Sequence, residues 1–178
     1  MTRKLQGRLG QPGAELRSTF ESLSIHGVCR ENNWPFFVHK SEKEPSFGAI
    51  AEALEFKVTS FEYVNPKNFN TMIDLKIPIS IGLQTGRMFW KLHGPISTQE
   101  YKPVNLVDNR GSRGHAVTVI GYDNSICGGA WIIANSIGPK WGDKGYGILP
   151  YECYRDIGEA YCITGFADLP PSEKNFNN

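Results

Sequence analysis

The sequence lacks an excess of charge of either sign: 19 Lys and Arg stand against 18 Asp and Glu in 178 residues, a net +1. Without a dense Lys/Arg block there is no electrostatic footprint for a nucleic acid or an anionic membrane surface, and neither partner is expected. Cysteine is sparse. Cys29, Cys127, Cys153 and Cys162 are too few and too irregular for a disulfide scaffold, and no CxxC pair marks a zinc site. A reducing compartment is therefore the expectation. No stretch approaches the roughly 18 consecutive apolar residues of a membrane-spanning helix. The basic start, Met1 to Gly10, has no apolar run behind it of the kind a secretory signal carries.

What is present, 40% apolar and 12% aromatic residues, describes one soluble globular domain. A domain of this length buries roughly two thirds of the surface its unfolded chain exposes, so it needs neither disulfide nor structural metal. No cofactor motif is found. His26 and Cys29 form an H-x-x-C, but no second pair supports them as metal ligands.

Leu16, Phe20 and Leu23 share one helical face, and Gly27 suits the residue that closes a helix, which predicts an amphipathic helix over 13–25. Cys29 to Lys43, with Trp34-Pro35-Phe36-Phe37, reads as a loop with aromatic anchors. Ser46 can cap a short second helix bearing Phe47, Ile50, Ala51 and Leu54 on one side. From Phe56 the period changes: Val58 to Val64 alternates as a strand, a short helix covers 67–75, and strands follow over 78–83, 116–122, 130–134, 145–149 and 161–166. Helices first and antiparallel-type strands later indicate an α+β fold. The intended division is a reduced helical lobe over 1–56, a β-sheet or barrel lobe over 57–166, and a polar tail over 167–178. The long segment 87–114 has little periodicity, and such loops commonly carry function. Within it Phe89 and Trp90 are read as loop packing or a partner anchor, Arg110 and Arg113 as a solvated turn, and His93, like His39, as solvated.

Two segments carry chemistry: Gly114-His115-Ala116-Val117, opening a strand, and Asn135-Ser136-Ile137-Gly138-Pro139-Lys140-Trp141-Gly142-Asp143-Lys144-Gly145-Tyr146. They resemble the histidine and asparagine motifs of papain-like cysteine peptidases, GHAV-type and NSWGxxWGxxGY. Gly27-Val28-Cys29-Arg30-Glu31-Asn32-Asn33-Trp34-Pro35 is similar to the family's GVCxExxWPY segment, and Pro78-Ile79-Ser80-Ile81 to its GPVSVAI strand. The resemblance implies a papain-like fold, with His115 as general acid/base and Asn135 as the amide that orients its ring. A spacing of 20 residues suits two neighbouring strands carrying them to one end of a sheet.

The third part of that machinery, a thiolate at a helix N-terminus, has no match. It is expected about 130 to 150 residues before the His and Asn, in a C-G-S-C-W type segment, whereas only 114 residues precede His115. Cys29 lies where the family carries a structural cysteine, and Cys127, Cys153 and Cys162 read as fillers or surface thiols. The resemblance also implies a Trp after Asn-Ser that shields the His–Asn bond. Ile137 stands there, a smaller cover that leaves the bond wetter.

Three functions follow. The favoured reading is a catalytically incomplete papain-like homologue, a structural or binding component of a larger assembly such as a virion. The alternatives are the C-terminal chain of a split or processed peptidase whose partner supplies the nucleophile, and an active enzyme using Cys29. The first two expect a protein partner, or a second copy, covering an apolar barrel face and the N-terminal helix, because large apolar patches are rare on monomers. The expected location is cytoplasmic or within a viral particle.

Overall fold

A computed structural model describes residues 13–35, 43–101 and 113–167. The expectations for His39, Arg110 and the tail from residue 168 lie outside the described residues. The chain divides into two compact units: residues up to Phe61 together with those from Ile163, and residues Glu62 to Cys162.

The first unit holds α1 (Leu16–His26) and α2 (Phe47–Ala53). Helix α1 starts at Leu16 rather than Gly13, whose φ of 80° does not belong in a helix. Phe20 is buried and meets Phe61 at 5.4 Å, while Arg17 and Glu21 form an exposed i,i+4 ion pair at 3.0 Å. The helix ends at Gly27 as expected, with a φ of 69° and its N–H on the Leu23 carbonyl. A Cβ there would run into the Ala53 carbonyl, so glycine also permits the approach to α2. Ser46 caps α2, its Oγ accepting from the Ala49 N–H at 3.2 Å. Glu52 on α2 pins the turn after α1, accepting from Asn33 Nδ2 at 2.6 Å and Arg30 Nη1 at 2.8 Å. The side expected to be apolar is open, with Phe47, Ile50, Ala51 and Leu54 all exposed; the buried residue of the helix is Ala49, which the expectation did not include.

The strands are β1 (Val58–Tyr63), β2 (Ile79–Thr85), β3 (Arg113–Asp123), β4 (Ala130–Ala134), β5 (Tyr146–Pro150) and β6 (Ile157–Phe166). They follow the order β1-β6-β2-β3-β4-β5, with β2, β3, β4 and β5 antiparallel in turn and β6 antiparallel to β2. The α+β expectation holds. The region expected to be one helix over 67–75 is a 3-10 turn, Pro66–Asn68, followed by α3 (Phe69–Asp74). Part of the expected loop over 87–114 is ordered as α4 (Arg87–Trp90) and a 3-10 turn at Ile96–Thr98. An element of four residues is too short to carry a readable period. Arg113, expected in a turn, is exposed at the start of β3 and pairs with Thr85.

The core of the larger unit follows from period-2 alternation. Ile79, Ile81 and Leu83 of β2 pack with Val117 and Val119, Trp131 and Ile133, and Leu149, closed by Phe69, Phe89 and Trp141. Gln99 is buried for a reason its sequence position hides: Oε1 accepts from the Ile148 N–H at 3.1 Å and Nε2 donates to the Gly94 carbonyl at 2.8 Å. It ties a turn to the edge strand β5.

Candidate active site

His115 lies three positions into an eleven-residue strand, opposite Leu83 of β2, and Asn135 follows the last residue of β4. Because β3 and β4 are antiparallel, with Thr118 opposite Ala134, the two residues reach the same end of the sheet. Their side chains meet: His115 Nε2 and Asn135 Oδ1 are 2.9 Å apart. The backbone N–H of Ile137 donates to the same Oδ1 at 3.3 Å. An atom that accepts from a backbone N–H is the amide oxygen, so Nε2 must be the donor. The neutral ring then carries its lone pair on Nδ1, the form in which imidazole accepts a proton.

The local chain fixes Asn135 in place. Its N–H donates to the Gly145 carbonyl at 2.9 Å, and the Gly145 N–H reaches the Trp141 carbonyl at 2.8 Å. Gly142 in that turn has a φ of 61°, and a Cβ on it would run into the Tyr146 carbonyl. Trp141 is buried and its Nε1 donates to the Phe89 carbonyl at 2.8 Å. The Trp-Gly-x-x-Gly stretch is thus a scaffold for the asparagine. Asn135 Nδ2 is buried without an acceptor among the described residues.

Two aromatic contacts to the ring escaped the sequence. Phe89, fully buried, lies 5.7 Å from the His115 ring, and Trp90 lies 5.1 Å from it, tilted by 57°. The only signal was the Phe-Trp pair just after the β2 strand. Ile137 is 48% exposed, as befits a poor cover.

No thiol of the larger unit serves this imidazole. Cys127 lies in the turn beyond Asp123, and eight residues of β3 at about 3.3 Å each put it roughly 26 Å along the strand from His115. Cys162 is buried opposite Ile79, which also faces Val119, four residues or about 13 Å along β3 from His115. Burial pushes its thiol up. Burial, and then the charges of Asp156 and Glu152, push the fully buried Cys153 far up, so it stays protonated and inert. Cys29, in the smaller unit, follows the C-terminal end of α1 and does not stand at a helix N-terminus, where a nucleophilic thiolate is expected. His93, exposed, is held by the Lys91 carbonyl at 2.7 Å from Nδ1. Among the described residues no group of three His, Cys, Asp or Glu is placed to hold a metal ion, and no helix is long and apolar enough to cross a membrane.

Residues 4–161 match the model of the papain family cysteine proteases. The chain belongs to the papain family. Among its relatives, a papain-family protein called uncharacterized peptidase C1-like protein L477, of Acanthamoeba polyphaga mimivirus, is 26% identical over 81% of this chain and 48% of its own length. Cathepsin K of Mus musculus is 40% identical over 90% of the chain and 46% of its own length. The chain thus spans about half the length of the curated relatives it matches. Xylellain, a cysteine protease from Xylella fastidiosa, superposes with a TM-score of 0.73 at 23% identity, over 91% of this chain and 66% of that one, which shows the papain-like fold.

Proposed function

We propose that this chain is the base-carrying part of a papain-type cysteine peptidase, with the nucleophilic thiol held by polypeptide outside its 178 residues. The observation that carries the reading is the His115–Asn135 bond at 2.9 Å with the acceptor fixed by Ile137. It leaves Nδ1 ready to take the proton of a thiol and return it to a leaving amine. A site kept only as a relic has no need of that polarity.

The smaller unit supports a missing neighbour. Val28, Ile50 and Leu54 are exposed and, with Leu23 and Ala49, line a cavity of about 290 Å³; Ile25 and Phe47 are exposed as well. Apolar side chains so clustered favour burial by about 25 cal/mol for each Å² removed from water. A thiol-bearing apolar helix, from an adjoining segment or a separate chain, has the chemistry to cover them.

Labelling with an epoxide that traps peptidase thiolates tests the reading. The chain is treated alone and after co-expression with the coding sequence directly upstream of it. Expected is no label alone, and with the added polypeptide a label on its cysteine that His115→Ala abolishes. Label on Cys29 of the chain alone would replace this reading with a self-sufficient enzyme. No label under either condition would decide instead for a second reading, a non-catalytic homologue within a larger assembly.

A further inference from the structure

We propose that Trp90 is the positioning residue that keeps water from the His115–Asn135 hydrogen bond, a task that Ile137 leaves undone. A hydrogen bond open to water is exchanged for bonds to water and holds its partners weakly, whereas in a dry setting it fixes their orientation. This one lies at the ends of two strands and is only part-buried. Ile137 lends its backbone N–H to Asn135 Oδ1, yet its residue surface is 48% exposed.

Trp90 places its ring 5.1 Å from the imidazole, and Phe89, behind it, meets Trp90 edge-on at 5.4 Å and 82°. Trp90 is 40% exposed and tilted by 57° to the imidazole, so part of the indole lies against that ring while the rest meets solvent.

Its position is built in advance. Leu83 of β2 lies opposite His115, so the chain leaving β2 passes beside the imidazole. Thr85, fully buried, donates through Oγ1 to the Arg113 carbonyl at 2.8 Å and clamps that exit. Helix α4 then closes through Lys91 N–H on Met88 and Leu92 N–H on Phe89, and Trp141 holds the Phe89 carbonyl. Phe89 is a core residue, whereas Trp90 has ring contacts to Phe89 and His115 and remains 40% exposed. Covering the site is the role that explains its placement.

The test reads the bond itself and involves no thiol, so it can fail while the proposed function stands, and the reverse. The chain is produced with isotope-labelled histidine, and the His115 Nε2–H resonance and its exchange with water are followed by NMR. The resonance is expected in the parent chain, retained in Trp90→Phe, and lost or exchanging at least about tenfold faster in Trp90→Ala. It returns in Trp90→Ala/Ile137→Trp, where a ring is supplied from the other side of Asn135. The amides of Val117 and Val119 report whether β3 is intact, and Trp90→Gln, which keeps bulk without a ring, replaces an alanine variant that does not fold. An unchanged resonance in the ringless variants, no resonance in the parent chain, or no recovery in the double variant overturns the proposal.

Discussion

The imidazole of His115 and the backbone N–H of Ile137 converge on one oxygen, Asn135 Oδ1, at 2.9 and 3.3 Å. That shared acceptor sets the direction of the His–Asn bond.

Phe89→Ala removes a fully buried ring that touches Trp90, Tyr101, His115 and Trp141. The lost transfer energy and the cavity left behind are expected to cost about 3 to 5 kcal/mol. A urea titration followed by tryptophan fluorescence measures it. A cost below about 1 kcal/mol would mean that the ring is not packed as described.

The three cysteines of the larger unit should separate by reactivity with a neutral-pH thiol reagent. Cys127 is exposed and is expected to react at once, while Cys153 and Cys162 are buried, with thiols held up by that burial. They should react about a hundredfold more slowly or only on unfolding, as mass mapping over time would reveal. Early modification of Cys153 would contradict its placement.

Glu52 gives a pH dependence with a definite sign. Its hydrogen bond from Asn33 holds its carboxyl below the usual range; desolvation, the next largest effect, opposes it, and the bonds and charge of Arg30 add to the lowering. A lowered folded-state pKa contributes stability above the unfolded value that is lost as pH falls through the folded one. The stability difference between the parent chain and Glu52→Gln should therefore be largest near neutrality and shrink to nothing in acid. Denaturation midpoints across that range measure it, and a difference that grows in acid would be the wrong sign.

The exposed apolar face of the smaller unit should govern self-association. Phe47→Ser with Leu54→Ser removes two exposed side chains, 87% and 52% accessible, without touching the buried Ala49. Sedimentation is expected to show less association of the double variant than of the parent chain, at unchanged helix content. A parent chain that is already a clean monomer would count against an uncovered face.

The sequence made the dyad legible because the hairpin geometry is local. With β3 and β4 antiparallel and joined by a short turn, a separation of 20 residues brings His115 and Asn135 to one sheet end. The alternation in β2 to β5 likewise placed the core. Trp90 was not legible as part of the site: its place over His115 depends on where β2 delivers the chain and on the Phe89–Trp141 contact, both long-range. The period of α2 told which residues share a face. It could not tell that the face is open, since a periodic pattern says nothing of what covers it.

The claim that this chain carries a set base is tested most directly by the nitrogen chemical shifts of His115 in the neutral ring. The account predicts a protonated Nε2 and an unprotonated Nδ1, a preference that falls about fivefold in Asn135→Ala on the loss of a hydrogen bond of about 1 kcal/mol. A proton on Nδ1, or an even mixture of the two tautomers in the parent chain, would contradict it.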